Sequence, residues 1–345
     1  MNVLAGIAIA VFAGSINGLF ALPMKAMKKW EWENIWFPFS IVSFFIFPWL
    51  IAKVSIPQME EAIRMLCPCD IVSAMITGAF AYTGSLICSL AFQMIGQALT
   101  FALLVGAMTI VGVLFPILIY HPEVVPTQTG FYILLGIGMV FVSLVLSVVA
   151  GIRKEKSQCA ATTEKKNNTF IAGIVFALVG GSLGGLISLG MNTGWANSLK
   201  MVAVNFGQAD AMQASNLVLF FVLLGGGIPN IVYTVYQLTR NQRWHLYRQK
   251  ESWWYWLLLI MMCLQYTGSV ILWGISSSEN LLGKLGSSVG WAIFVSFIVI
   301  SSNLGGFLTG EWKNAGKRAI ALMGIALLII LMAMATIGYG NYMLH

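Results

Sequence analysis

Gly130-Phe131-Tyr132-Ile133-Leu134-Leu135-Gly136-Ile137-Gly138-Met139-Val140-Phe141-Val142-Ser143-Leu144-Val145-Leu146-Ser147-Val148-Val149-Ala150 carries no charge, and Arg153, Lys154 and Lys156 follow at once. A bilayer core needs about 20 apolar residues per helix, so this run reads as a transmembrane helix stopped by a charged boundary. Outward from it, nine more runs of similar length appear: Val3–Leu22, Asn34–Ala52, Ile71–Met94, Ala98–Tyr120, Phe170–Met191, Ala211–Leu238, Trp254–Ile275, Ser288–Thr309 and Ala319–Tyr339. Little chain is left over. Of the 345 residues, 59% are hydrophobic and 9% charged, and the mean hydropathy is +0.84. That balance excludes a water-soluble globule, a disordered chain and a disulfide scaffold. The expected fold class is an all-α membrane protein with ten transmembrane helices. The first run lacks a basic leader and meets Pro23 and Lys25 without a small-residue cleavage site. It reads as a retained helix.

The net charge of +7 and the pI near 9.2 raise the question of acidic partners, but loop sorting answers it. Lys25, Lys28, Lys29, Arg153, Lys154, Lys156, Lys165, Lys166, Arg240, Arg243, Arg248, Lys250, Lys313, Lys317 and Arg318 fall on one side, against Lys53, Arg64, Lys200 and Lys284 on the other. Insertion retains Lys and Arg in the cytoplasm. The rich side is therefore the cytoplasmic one, and both termini are expected outside it. Nucleic acid is not an expected partner; membrane lipid is. Trp30, Trp32, Trp36, Trp49, Trp244, Trp253, Trp254, Trp256 and Trp312 lie near helix ends, where an aromatic belt places them.

The polar segment Arg153 to Asn168 divides the helices five and five. Gly14-Ser15-Ile16-Asn17-Gly18-Leu19-Phe20-Ala21-Leu22-Pro23-Met24 matches Gly181-Ser182-Leu183-Gly184-Gly185-Leu186-Ile187-Ser188-Leu189-Gly190-Met191 at six of eleven positions. Tyr82-Thr83-Gly84-Ser85 returns as Tyr266-Thr267-Gly268-Ser269, and Leu134, Gly136 and Ile137 as Leu322, Gly324 and Ile325. The order is consistent. An odd number of helices per copy turns the second upside down, the inverted-repeat design of secondary transporters. The expected division is a first five-helix repeat over 1–152, a cytoplasmic linker over 153–168 and a second repeat over 169–345. This pattern favours a carrier over an enzyme or a structural membrane protein. An enzyme is further disfavoured because no nucleophile–base or metal-ligand set occurs in the spans; no metal or other cofactor is expected.

No phosphate-binding GxxxxGK[ST] loop is present, which argues against ATP-driven transport. Gly14/Gly18 and Gly181/Gly185 stand at four-residue spacing, which suits close helix packing. All twelve carboxylates lie at or outside the expected span ends, so the mid-membrane is nearly free of charge. Asp210, Glu279 and Glu311 each read as an interface charge or a proton carrier; Asp210 and Glu311 are kept as candidates for proton coupling. What the spans hold is neutral and polar: Asn17, Tyr82, Ser85, Gln93, Gln97, Asn192, Asn216, Gln265, Tyr266 and Asn303. Buried amides and hydroxyls offer paired donors and acceptors. They suit a neutral polyhydroxyl ligand whose C–H faces rest on aromatic rings, which Trp195, Trp273 and Trp291 can supply. Each also reads as an interhelical hydrogen bond or belt aromatic. His121 beside Pro122 and Glu123 reads as structural. The five cysteines show no pairable framework, and Cys67-Pro68-Cys69 follows an amphipathic stretch, Met59 to Leu66, expected at the membrane surface.

Two stretches carry a family likeness: Lys25-Ala26-Met27-Lys28-Lys29-Trp30-Glu31-Trp32-Glu33-Asn34-Ile35-Trp36 and Gly310-Glu311-Trp312-Lys313-Asn314-Ala315-Gly316-Lys317-Arg318. With the run Leu285-Gly286-Ser287-Ser288-Val289-Gly290-Trp291 between them, the sequence resembles the L-rhamnose/proton symporter family of the drug/metabolite transporter superfamily, over essentially the whole chain. The resemblance implies a ten-helix inverted-repeat carrier in a bacterial inner membrane that imports a deoxy-sugar with protons. It implies a cavity lined by the first, third, fourth, sixth, eighth and ninth helices. A small neutral sugar and a proton are then the expected partners. The competing reading is an uncoupled or export-type carrier of another small metabolite, favoured by the carboxylate-free mid-membrane.

Overall fold

The computed structural model describes residues 2–95, 97–158, 167–249, 252–310, 312, 313 and 315–343. Ten helices are long and apolar enough to cross a membrane, and no strand occurs among the described residues. They are α1 Val3–Ala26, α2 Trp32–Ser55, α3 Pro68–Cys88, α4 Leu103–Tyr120, α5 Gln128–Lys154, α6 Ile171–Gly190, α7 Ser215–Arg240, α8 Trp253–Ser276, α9 Gly286–Leu308 and α10 Lys317–Gly340. All ten expected spans are present. Large apolar side chains cover the outside, Leu4, Val54, Leu257 and Leu308 among them, which suits lipid and no aqueous surface.

Lipid tails are as apolar as leucine, so helices associate through small residues that let backbones touch. A Cβ at Gly14 would collide with the Phe294 carbonyl and one at Gly18 with Ile298, which seats α1 on α9; Gly181 and Gly185 meet Leu104 and Met108 carbonyls in the same way and seat α6 on α4. Gly84 and Gly180 bring α3 onto α6, and Gly78 and Gly225 bring α3 onto α7. The helix α5 packs along α10, and α1 also packs on α8.

Two helices widen where proline interrupts them. In α2 the turn Val42–Ile46 is a π-helix with Phe47 N–H bonded to the Val42 carbonyl. Pro48 has no N–H to give. The Ser43 carbonyl is thereby released, and the Thr267 hydroxyl of α8 donates to it at 3.2 Å. In α4 the same device appears over Ile110–Leu114, ahead of Pro116, with Phe115 N–H on the Ile110 carbonyl. Here the Ser188 hydroxyl of α6 donates to the Gly112 carbonyl at 2.6 Å. Such widened turns mark positions where a helix is adapted to a partner.

Connections assigned by charge to one side meet one another. At the basic end, Asn34 Nδ2 donates to the Arg243 carbonyl at 3.0 Å, Tyr247 Oη to the Asn34 carbonyl at 3.0 Å, and Lys25 Nζ to Thr309 Oγ1 at 3.0 Å. At the other end, Gln58 N–H donates to the Gly207 carbonyl at 3.0 Å and Asn216 Nδ2 to Ser55 Oγ at 2.8 Å.

Several local expectations are corrected. Of the segment read as linker, Arg153 to Gln158 continues the α5 helix and Asn167 already belongs to the next. The helix α7 begins at Ser215, and Ala211 to Ala214 form a turn. A helix over Gly194–Asn205, too short and polar to register as a span, lies between α6 and α7. The amphipathic stretch forms the helix Met59–Met65, burying Met59 and Ala62. Trp30 and Trp312 are 5% exposed and pack inside the protein, not in a belt. Cys67 and Cys69 are joined as a disulfide, where no pairing was expected.

Candidate functional site

The Tyr-Thr-Gly-Ser copies in α3 and α8 share a local geometry. Ser85 Oγ donates to the Tyr82 carbonyl at 2.7 Å, and Ser269 Oγ to the Tyr266 carbonyl at 2.6 Å. Both serines spend their proton inside their own helix turn. The two tyrosines then come together around one ring, since Phe44 packs on both Tyr82 and Tyr266. Asn17 of α1 joins them, donating Nδ2 to Ser269 Oγ at 2.6 Å. Gln265, one residue before Tyr266, keeps a buried Oε1 with no protein partner.

Rings frame this group. Phe44, in the widened turn of α2, stands edge-on to Tyr82 at 4.7 Å and lies 5.9 Å from Tyr266. Phe20 and Phe39 both lie 5.3 Å from Tyr266. Tyr82 itself rests on Gly226, where any Cβ would strike its ring. Five helices thus supply one cluster with hydroxyl, amide and flat apolar faces together. That set can accept and donate hydrogen bonds to neutral hydroxyls while covering C–H surface.

A second group lies nearer the sparsely charged end. Asn192 Nδ2 donates to the Ser188 carbonyl at 3.1 Å, and its Oδ1 accepts from Ser287 Oγ at 2.7 Å. One turn beyond Ser287, Trp291 packs on Trp273 at 4.8 Å and presses its indole against Gly112. The Nε1 atoms of Trp273 and Trp291 are buried with no protein partner. Lys200 Nζ donates to the Met191 carbonyl at 2.9 Å. Burial lowers the Lys200 ammonium to about 8, and the negative charge of Glu279 pulls it back upward.

The remaining candidates stand apart from both groups. Asn216 is buried between the ends of α2 and α7. Asn303 donates to Val299 in its own helix at 2.9 Å. Asp210 is exposed and accepts from Met212 N–H at 2.8 Å. The Gln93 and Gln97 side chains and Glu311 lie outside the described residues.

A third constellation, unmarked in the sequence, stands at the basic end. Among the described carboxylates only Glu33 is buried, at 5% exposure. Asn241 Nδ2 and Arg243 Nη1 both donate to its Oε1 at 2.7 Å. Trp30 donates Nε1 to Ser252 Oγ at 3.1 Å and sits edge-on to Tyr247, Tyr255 and Trp256. Burial, followed by the Glu33 charge, pushes the Tyr247 phenol above its usual range despite its bond to Asn34. The signal available was the Trp-Glu-Trp-Glu-Asn run itself.

No group of three or more His, Cys, Asp or Glu able to hold a metal occurs among the described residues. Compared with known proteins, residues 1–343 match the family described as L-rhamnose-proton symport protein. The L-rhamnose-proton symporter of Escherichia coli O9:H4 (strain HS) is 25% identical over 332 residues, covering 93% of each chain. Proteins of the same name from Salmonella paratyphi A (strain ATCC 9150 / SARB42) and Salmonella typhi are 25% identical over 329 residues, again with 93% of each chain covered.

Proposed function

We propose a function from one established premise: this chain belongs to the L-rhamnose-proton symport protein family, as a multi-pass membrane transporter. On our reading it imports L-rhamnose or a related neutral sugar together with protons, by alternating access, across a bacterial inner membrane. Both termini face away from the cytoplasm, by the lysine and arginine sorting. The ten helices form two inverted repeats, 1–152 and 169–345, joined by the segment 153–168, in the manner of the drug/metabolite transporter fold.

The observation that carries this reading is the meeting of Tyr82 with Tyr266. Equivalent residues of two inverted copies approach each other only near their pseudo-two-fold axis, where the substrate site of such carriers lies. Further support comes from the glycine seats: α1 on α9 and α6 on α4 are the same contact in the two copies. Tyr82, Tyr266, Asn17 and Gln265 form the centre of the sugar site, with Ser85 and Gln93 along α3. Asn192 and Trp291 line the approach, while Asn216 and Asn303 serve the surrounding helix contacts. Asp210 and Glu311 remain interface candidates for handling protons.

The test is a thermal-shift screen of purified protein against a sugar panel at about pH 5.5 and about pH 7.5, since a ligand at about 100 times its Kd stabilises by roughly 2.7 kcal/mol. L-rhamnose or a close relative should stabilise wild type, more strongly at the lower pH, and should fail to stabilise Gln265→Ala. Stabilisation of Gln265→Ala equal to wild type would remove the central site from the account. The uncoupled carrier predicts stabilisation indifferent to pH.

A further inference from the structure

A symporter needs a group that gains a proton and changes which end of the protein is open. The mid-membrane offers no carboxylate, which leaves the two ends of the helices. Helices α2 and α7 are counterparts in the two repeats, and each end of this pair is tied by a short set of hydrogen bonds. At the sparsely charged end the ties are neutral: Asn216 Nδ2 to Ser55 Oγ at 2.8 Å and Gln58 N–H to the Gly207 carbonyl at 3.0 Å. At the basic end the tie is ionic, running from Glu33 at the start of α2 to Asn241 and Arg243 just beyond α7.

We propose that Glu33 is a proton-binding site of the transport cycle, and that protonating it releases Arg243 and opens the basic end. This rests on the function proposed above. A buried carboxylate persists only while paired and hydrogen-bonded. Both donors fall on Oε1, so a proton on Oε2 turns Oε1 from a charged acceptor into a neutral one and weakens both bonds. Arg243 stays protonated throughout, and among the described carboxylates Glu31, at 3.7 Å, is then left beside it. The Asn34–Arg243 and Tyr247–Asn34 bonds belong to the same junction and loosen with it.

Protonation forms one O–H bond on Glu33 with a proton taken up from water, and release breaks that bond and returns the proton to water once the junction parts. No other bond is made or broken. The charged and titratable groups around Glu33 are Arg243 and Tyr247 from the α7–α8 connection, and Glu31 before it in the chain. Lys28 and Lys29 lie in the preceding turn, Arg240 and Tyr236 sit at the end of α7, and His245, Arg248 and Tyr255 lie beyond. Of these, only Arg243 is bonded to the carboxylate. Arg240 donates to Tyr236 Oη at 3.3 Å, and His245 lies 2.9 Å from the Gln242 carbonyl.

Glu33→Gln tests this in proteoliposomes with labelled L-rhamnose. Counterflow at equal pH, which needs no proton movement, should persist. Sugar-dependent proton entry, read by a trapped pH dye, should be lost, and accumulation driven by a pH gradient should fall roughly tenfold or more, as expected for removal of a charge-assisted bond. Arg243→Gln leaves the carboxylate without its cation, so the pH midpoint of coupled uptake should move upward. Glu33→Asp should keep coupling. Wild-type proton entry in Glu33→Gln, or an unmoved midpoint in Arg243→Gln should Glu33→Gln not fold, overturns the inference. Absence of any sugar exchange by wild type overturns the functional reading and this inference with it.

Discussion

Gly78→Ala puts a single methyl into the tightest glycine crossing among the described residues. An alanine Cβ at Gly78 would stand 1.8 Å from the Val222 carbonyl oxygen, and one at Gly225 would stand 2.0 Å from that of Met75. Ordinary contact begins at 3.4 Å, so α3 and α7 must part by about 1.5 Å at a point where neither atom is a movable side chain. Overpacking of this kind costs about 1–3 kcal/mol. Backbone against backbone belongs at the upper end, about 3 kcal/mol. The separation also moves Tyr82, one turn further along α3 and seated on Gly226, so sugar binding should weaken along with stability. Gly324→Ala is the control, because a Cβ there meets nothing within 4 Å. The assay is a melt of detergent-purified protein with and without L-rhamnose. A Gly78→Ala melt indistinguishable from that of Gly324→Ala would refute the close crossing and the packing argument built on it.

Three other outcomes follow. Tyr82→Phe and Tyr266→Phe each remove a hydroxyl from the cluster around Phe44 and should lower the stabilisation by L-rhamnose, as melts of both variants with and without the sugar will show. Lys200 holds its proton less tightly in the folded protein, giving it up at about 8, against 10.5 in the free side chain. Between those values the unfolded chain binds a proton that the folded one has released, so stability should rise with pH across that window and be flat below it; Lys200→Met should abolish the rise. Cys67 and Cys69 should resist alkylation until reduced, whereas Cys88 and Cys263 are buried thiols; intact mass before and after reductant reads this directly.

Much of the fold was legible because a bilayer imposes a length, and all ten apolar runs met it. Connections grouped together by their basic residues touch one another, as Asn34 and Arg243 do. Repetition singles out Tyr82 and Tyr266 by their matching motifs, and the structure brings both against Phe44. What was not legible was contact between elements of unlike sequence. Phe20, Phe39 and Phe44 look like ordinary span filler, and only the turn widened ahead of Pro48 brings Phe44 to Tyr82. Glu33 falls one residue outside the expected start of the second span, so nothing sets it apart from the other carboxylates at span ends. Its burial depends on Asn241 and Arg243, more than two hundred residues away. Trp30 was read as a belt residue for the same reason, since its position near a helix end is real but its partners are Tyr247, Tyr255 and Trp256. The helix Gly194–Asn205 escaped because hydropathy registers spans and passes over short polar helices.

The central claim is proton-coupled sugar import, and one measurement addresses it without mutation. Purified protein in liposomes is given labelled L-rhamnose under an inward proton gradient, with and without a protonophore. A symporter accumulates the sugar above the external concentration, with proton entry that depends on the sugar, and falls back to simple equilibration when the protonophore is added. Equilibration alone, unchanged by the gradient or the protonophore, would contradict it.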